Sequence, residues 1–76
     1  MRNILVTGGS GFIGTHVALA LKNRYPDATV YALDNLRRRG SEGNVERLVS
    51  RGVTFVHGDV RNPEDLAPFH ALDAVI

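Results

Sequence analysis

The sequence predicts an α/β fold: a parallel sheet in the order 3-2-1-4 with helices on both faces, three layers in all, forming part of a larger doubly wound sheet. Two observations carry this reading. Short runs rich in apolar residues, near positions 4–6, 29–33, 53–56 and 74–76, alternate with segments of helical period. A cluster of glycines also stands between the first apolar run and the first helical segment, where a strand must turn sharply into a helix. The resulting β-α-β-α-β-α-β order, with right-handed crossovers, makes the strands parallel and places the first strand between the second and the fourth.

Each element has a local cause. Residues 3–7 are apolar on consecutive positions, as a central parallel strand covered on both faces should be. Residues 12–24 read as a helix whose buried face is Ile13, Val17, Ala20 and Leu21, with His16, Lys22 and Asn23 outside it. Pro26 ends that helix, because the residue before a proline is pushed out of the helical region. Residues 28–33 form the second strand, rich in the β-formers Thr29, Val30 and Tyr31, and it stops at Asp34. Ser41 or Asn44 can cap the second helix, which buries Val45, Leu48 and Val49 and stops at Gly52. Residues 53–57 are the third strand. Asn62 as cap, Pro63 at the first position and the acids Glu64 and Asp65 start a third helix that Pro68 shortens or bends. Residues 73–76 open the fourth strand. No internal repeat, linker or low-complexity segment interrupts the series.

Composition narrows the partners. With 76 residues, a net charge of +1 and 43% hydrophobic content, the chain is a globular piece with no long apolar run. Near-zero net charge gives no electrostatic case for nucleic acid or a membrane surface. The absence of cysteine removes disulfides and thiolate metal sites. The first strand follows Met1-Arg2-Asn3 directly and is too short for a signal peptide's apolar region, so a cytoplasmic enzyme is expected. Two βαβαβ halves are needed for a complete dinucleotide fold, and the expectation is that residues 1–76 are the N-terminal part of a longer protein.

The glycine turn carries the chemistry. Gly9, Gly11 and Gly14 fit G-x-G-x-x-G, while Gly8, Gly11 and Gly14 fit a three-residue spacing behind Thr7. In either frame Gly11 lets the backbone approach a pyrophosphate, and Gly14 lets the first helix pack tightly on the first strand. Backbone N–H groups at the helix start then face the phosphates with the positive end of the helix dipole behind them. A flexible glycine turn alone would look similar, so the rest of the chain decides. Asp34 stands about twenty residues after Gly14, at the carboxyl end of the next strand, where a Rossmann-type fold places an acid to accept from the adenosine ribose. An isolated aspartate there would only cap a turn; with the glycines it reads as the ribose ligand.

The loop from Asn35 through Arg37, Arg38 and Arg39 lies beside the adenosine in such a fold. It is either a solvated charge run or a source of an arginine that stacks on adenine, meets a phosphate, or accommodates the 2′-phosphate of NADP. Asp34 favours NAD, since a carboxylate repels that phosphate. At the end of the third strand, Asp59 can accept from the adenine amine while the Val60 N–H meets a ring nitrogen; a plain turn is the competing reading. His16, His57 and His70 fall in separate elements, so no metal site is expected. Tyr25 and Tyr31 have Thr29 and Asn35, not lysine, four residues on, and no catalytic constellation is present.

With Thr7-Gly8-Gly9-Ser10-Gly11-Phe12-Ile13-Gly14, Asp34-Asn35-Leu36 and Gly58-Asp59-Val60-Arg61 placed, the chain resembles the extended short-chain dehydrogenase/reductase family of NAD-dependent nucleotide-sugar epimerases and dehydratases over essentially its whole length. The stretches 34–40 and 55–62 look most like the CDP-paratose/CDP-tyvelose 2-epimerase branch, with the UDP-glucose 4-epimerase branch a near second. The resemblance implies that Gly8, Gly11 and Gly14 hold the pyrophosphate with the N–H groups of Phe12 and Ile13, Asp34 the ribose, and Asp59 with Val60 the adenine; Asn35 and Arg37 join the cofactor set from the adjoining loop. It also implies transient hydride transfer from a nucleotide sugar to bound NAD, and a homodimer. The family's Tyr-x-x-x-Lys pair has no matching position here. A non-catalytic NAD(P)-binding or redox-sensing module, or an NADP-dependent sugar reductase of the same family, is the alternative.

Overall fold

The computed structural model describes residues 2–8, 11–36, 41–59, 61–66, 69 and 72–76, with the backbone alone at 41, 42 and 66. Gly9, Ser10, the arginines 37–39, Val60, Pro68 and His70, each of which the sequence reading used, lie outside the described residues. The elements are β1 (Asn3–Thr7), α1 (Phe12–Arg24), β2 (Thr29–Asp34), α2 (Ser41–Ser50), β3 (Thr54–His57), α3 (Pro63–Leu66) and β4 (Ala74–Val75). All strand pairs are parallel, in the order β3-β2-β1-β4. The expected fold class and topology are therefore observed.

Register decides which side chains share a face. Ile4 pairs with Val30 and Val6 with Ala32, so these four point the same way. They are buried together with Ala18 of α1, Leu48 of α2, Ala28 and Val53, and this cluster is the core. Leu5 and Leu33 point to the opposite face and are equally buried. There Tyr31 meets Phe69 edge to face, ring centroids 5.1 Å apart. Burial on both faces is why β1 reads as an unbroken apolar run.

The turn after α1 is built from its own residues. Tyr25 caps the helix with its N–H on the Leu21 carbonyl at 2.9 Å, and Lys22 Nζ donates to the carbonyls of Pro26 (3.0 Å) and Ala28 (2.7 Å). Lysine at 22 thus ties the helix end to the start of β2. At the end of α2, Gly52 has φ +87°, and the N–H groups of Arg51, Gly52 and Val53 close the last turn on Leu48 and Val49. Glycine is the residue that such a left-handed stop requires. Asn62 Oδ1 accepts from the Glu64 N–H at 3.1 Å, which makes it the cap of α3 as expected.

Three expectations are corrected. The buried residues of α1 are Thr15 and Ala18; Ile13 is 75% exposed and Ala20 is exposed, while Val17 and Leu21 sit half-buried on the flanks. The fully inward positions are therefore Thr15 and Ala18, flanked by the half-buried Gly14, Val17, Leu19, Leu21 and Lys22. Where a helix rests directly over a strand, close approach selects small side chains, so the largest apolar residues do not mark the contact. In α2, Val49 is exposed although Leu48 is fully buried and Val45 half-buried. Asn44 lies inside α2, which begins at Ser41, and so does not cap it.

Candidate functional site

At the carboxyl end of the sheet the chain opens a cleft of about 620 Å³. Its walls come from the ends of β1, β2 and β3 and from the first turn of α1: Thr7, Gly8, Gly11, Phe12, Ile13, Gly14, Val17, Leu33, Asp34, Asn35, Gly58, Asp59 and Arg61 among others. Clefts of roughly 300–1,000 Å³ at this end of an α/β sheet are where such folds take ligands. Every described residue of the expected cofactor set lines it; Arg37 and Val60 lie outside the described residues.

A backbone hydrogen bond from Gly11 to Gly8 closes the glycine turn. Gly8 has φ +64°, a left-handed conformation that side chains resist, and the Gly11 N–H donates back to its carbonyl at 3.1 Å. A Cβ on Gly11 would stand 3.3 Å from that same carbonyl oxygen, a tight contact that the turn would have to give way to accommodate. Gly11 then serves as the N-cap of α1 in extended conformation and, being glycine, offers no side chain to cap the helix end. The first intrahelical bond runs from the Thr15 N–H to the Gly11 carbonyl at 2.9 Å, leaving the N–H groups of Phe12, Ile13 and Gly14 directed out of the helix. Helix-start N–H groups and the positive end of the helix dipole on this wall are favourable to negative charge.

The other wall is a pair of strand ends locked together. Asp34 is half-buried, and its Oδ1 accepts at 3.0 Å from the N–H of Leu36, which itself has φ +59°. The turn-capping role and the cleft-lining position therefore coexist in one side chain. Its carbonyl takes the Gly58 N–H at 2.9 Å. Asn35 spans the same gap: its Nδ2 reaches Asp59 Oδ2 at 3.4 Å, and its carbonyl lies 3.2 Å from His57 Nε2, which donates to it.

Asp59 is the most constrained group of the cleft. Arg61 grips it with Nη2 on Oδ2 at 2.8 Å, Nε on Oδ1 at 3.1 Å and its own backbone N–H on Oδ1 at 2.9 Å. The Asp59 N–H in turn donates to Asp65 Oδ2 at 2.9 Å. Hydrogen bonds from the Arg61 side chain, then from its backbone, hold the Asp59 carboxyl well below the usual carboxylate range, and the same contact raises Arg61. Arg61 as a cleft residue was not singled out from the sequence. Its signal was local: an arginine two positions after a strand-end acid can close a bidentate ring onto it.

The titratable side chains among the described residues lining the cleft are Asp34, Asp59 and Arg61. Among the described residues no group of three or more His, Cys, Asp or Glu is placed to bind a metal ion, and no helix is long and apolar enough to cross a membrane.

Comparison with known proteins identifies the lineage. The NAD dependent epimerase/dehydratase family matches residues 4–76. The chain belongs to that family. Its relatives include a UDP-glucose 4-epimerase of Klebsiella pneumoniae, 40% identical over 78 residues, spanning 96% of this chain and 55% of that one. A CDP-paratose 2-epimerase of Salmonella typhi is 42% identical over 64 residues, spanning 83% of this chain and 18% of the relative. Among solved structures, a dTDP-glucose 4,6-dehydratase of Bacillus anthracis in complex with NAD superposes with a TM-score of 0.78 at 33% identity, over 90% of this chain and 22% of that one. This family member therefore spans from about a fifth to about half of the length of these relatives. Both sugar-nucleotide epimerase branches expected from the 34–40 and 55–62 stretches are represented among them.

Proposed function

We propose that residues 1–76 form the N-terminal, NAD-binding portion of a nucleotide-sugar epimerase or dehydratase. One observation carries this reading: the uncapped N–H groups at the start of α1 and the carboxylates of Asp34 and Asp59 line a single cleft, about 620 Å³ in volume. That is the donor and acceptor set a dinucleotide asks for, phosphates at one wall and a ribose diol with an amino-purine at the other. The N–H groups of Phe12, Ile13 and Gly14 hold the pyrophosphate. Asp34, kept in orientation by Leu36, accepts from the ribose hydroxyls. Asp59 accepts from the adenine amine, Asn35 braces it, and Arg37 and Val60 complete the adenosine side.

When bound, NAD supplies a reversible hydride acceptor, and this chain's residues supply its fixed position. The acid–base groups that act on the sugar and the substrate-binding domain belong to the rest of the protein, since no Tyr-x-x-x-Lys pair occurs in residues 1–76. The relatives' names support a nucleotide sugar as substrate, and a cytoplasmic homodimer is the accompanying expectation. Asp34 favours NAD over NADP, because its carboxylate would face the 2′-phosphate.

The test is to purify the full-length protein, denature it and identify the released nucleotide. NAD is the expected result. NADP would mean that the 37–39 arginines override Asp34 and would turn the reading toward a reductase. Neither nucleotide, with no binding on titration, would remove the assignment.

A further inference from the structure

We infer that Arg61 is the positioning residue for the adenine end of this cleft: its guanidinium and backbone N–H fix the Asp59 carboxylate so that one acceptor site on Oδ2 is presented to an exocyclic amine. The inference rests on the dinucleotide reading above and adds to it a residue and a discrimination.

The acceptor inventory supports it. An ionised carboxylate has about four lone-pair sites. On Asp59, Oδ1 receives two Arg61 donors, at 2.9 and 3.1 Å, and Oδ2 receives Nη2 at 2.8 Å. Among the described residues, the remaining site on Oδ2 has only the long contacts, Arg61 Nε at 3.3 Å and Asn35 Nδ2 at 3.4 Å, near the limit of a hydrogen bond. A better-placed N–H from a ligand can replace those contacts without disturbing the three short ones. The backbone beneath is fixed as well, since the Asp59 N–H is bound by Asp65. Arg61 holds the carboxyl by a two-residue ring yet is itself 74% exposed, so little of the fold depends on it. Because Asp59 stays ionised, it accepts and does not donate, which makes the wall selective for a purine bearing an amine over one bearing a carbonyl.

The experiment uses full-length protein stripped of nucleotide and titrated separately with NAD and with nicotinamide hypoxanthine dinucleotide, in which the adenine amine is replaced by a carbonyl oxygen. Wild type is expected to prefer NAD by about tenfold, the size of one charge-assisted hydrogen bond lost against one unpaired acceptor. In Arg61→Ala the preference falls toward one, because NAD binding weakens while binding of the hypoxanthine analogue is unchanged. Arg61→Lys, which keeps the charge without the fork, retains part of the preference. Asp59→Asn, whose amide can donate, shifts it toward the analogue. An unchanged ratio in Arg61→Ala, or equal loss of both ligands, overturns the positioning role. Equal binding of both ligands by wild type overturns it too, while leaving the dinucleotide reading intact. Wild type that binds neither ligand removes that reading, and this inference with it.

Discussion

Gly8 and Gly58 are glycines for different physical reasons, and substitution separates them. A Cβ on Gly8 would meet nothing within 4 Å, so Gly8→Ala suffers only from its left-handed φ of +64°, a cost of about 1–2 kcal/mol. On Gly58 a Cβ would stand 2.9 Å from Leu33 Cδ1 and 3.1 Å from both Asp65 Cβ and Cγ. Gly58→Ala must therefore push the base of α3 away from β2, an overpacking cost of about 1–3 kcal/mol. Because Asp65 holds the Asp59 N–H, that shift also reaches the cleft. Urea unfolding of the nucleotide-free full-length protein is expected to show both losses at unchanged slope, with nucleotide affinity falling in Gly58→Ala. Equal stability of wild type and Gly58→Ala would show that Leu33 and Asp65 give way freely. At Asp59 the linkage has a definite sign. Its native carboxyl is held below the ordinary value of 3.8, so the pair's stabilisation is complete above that pH and lost as pH falls through the lower native value. The stability gap between wild type and Arg61→Ala should be flat through neutral pH, close below 3.8 and shrink with added salt, because Arg61 is exposed. A gap that widens on acidification would contradict the assignment.

Among the elements, α1 carries the sharpest test. Ala18 is fully buried against the sheet and Ala20 is exposed two residues on. Ala18→Leu is expected to cost about 1–3 kcal/mol by overpacking, and Ala20→Leu to stay within about 0.5 kcal/mol. Thermal unfolding of the pair decides which face is inward, and the reverse order would restore the stripe through Ile13 and Ala20. That stripe was misjudged from the sequence for a physical reason: apolar size was used to find the contact, whereas close helix–strand approach favours Gly14, Thr15 and Ala18. The strands were legible because β1 and β2 are buried on both faces and leave unbroken apolar runs. The caps at Gly52 and Asn62 were legible because their backbone geometry demands a residue type. Asp34, Asp59 and the glycines were legible as a spacing, since strand ends converge at one edge of a parallel sheet. The Asp59–Arg61 ring was not, because it depends on a side-chain rotamer that spacing does not encode.

At the scale of the whole molecule, the strand order places the cleft where the chain reverses its direction across the sheet. From β1 it moves outward through β2 to β3, then returns past β1 to β4. The switch point therefore lies between the neighbouring strands β1 and β4, and the α1 N-terminus follows β1 there. Stability is unevenly spread around this opening. β1 and β2 contribute half of the core cluster, whereas β3 is only partly buried and β4 is exposed along Ala74 and Val75. Hydrogen exchange on the nucleotide-free full-length protein should accordingly be slowest in residues 4–6 and 30–33 and faster in residues 54–57. Adding NAD should then protect residues 12–14, 34–36 and 58–59 together, because one ligand bridges both walls, and leave residues 45–50 of α2 unchanged. Protection confined to residues 12–14 would mean that the helix terminus binds a phosphate without engaging Asp34 and Asp59. Protection centred on α2 would place the ligand on a different face of the sheet altogether.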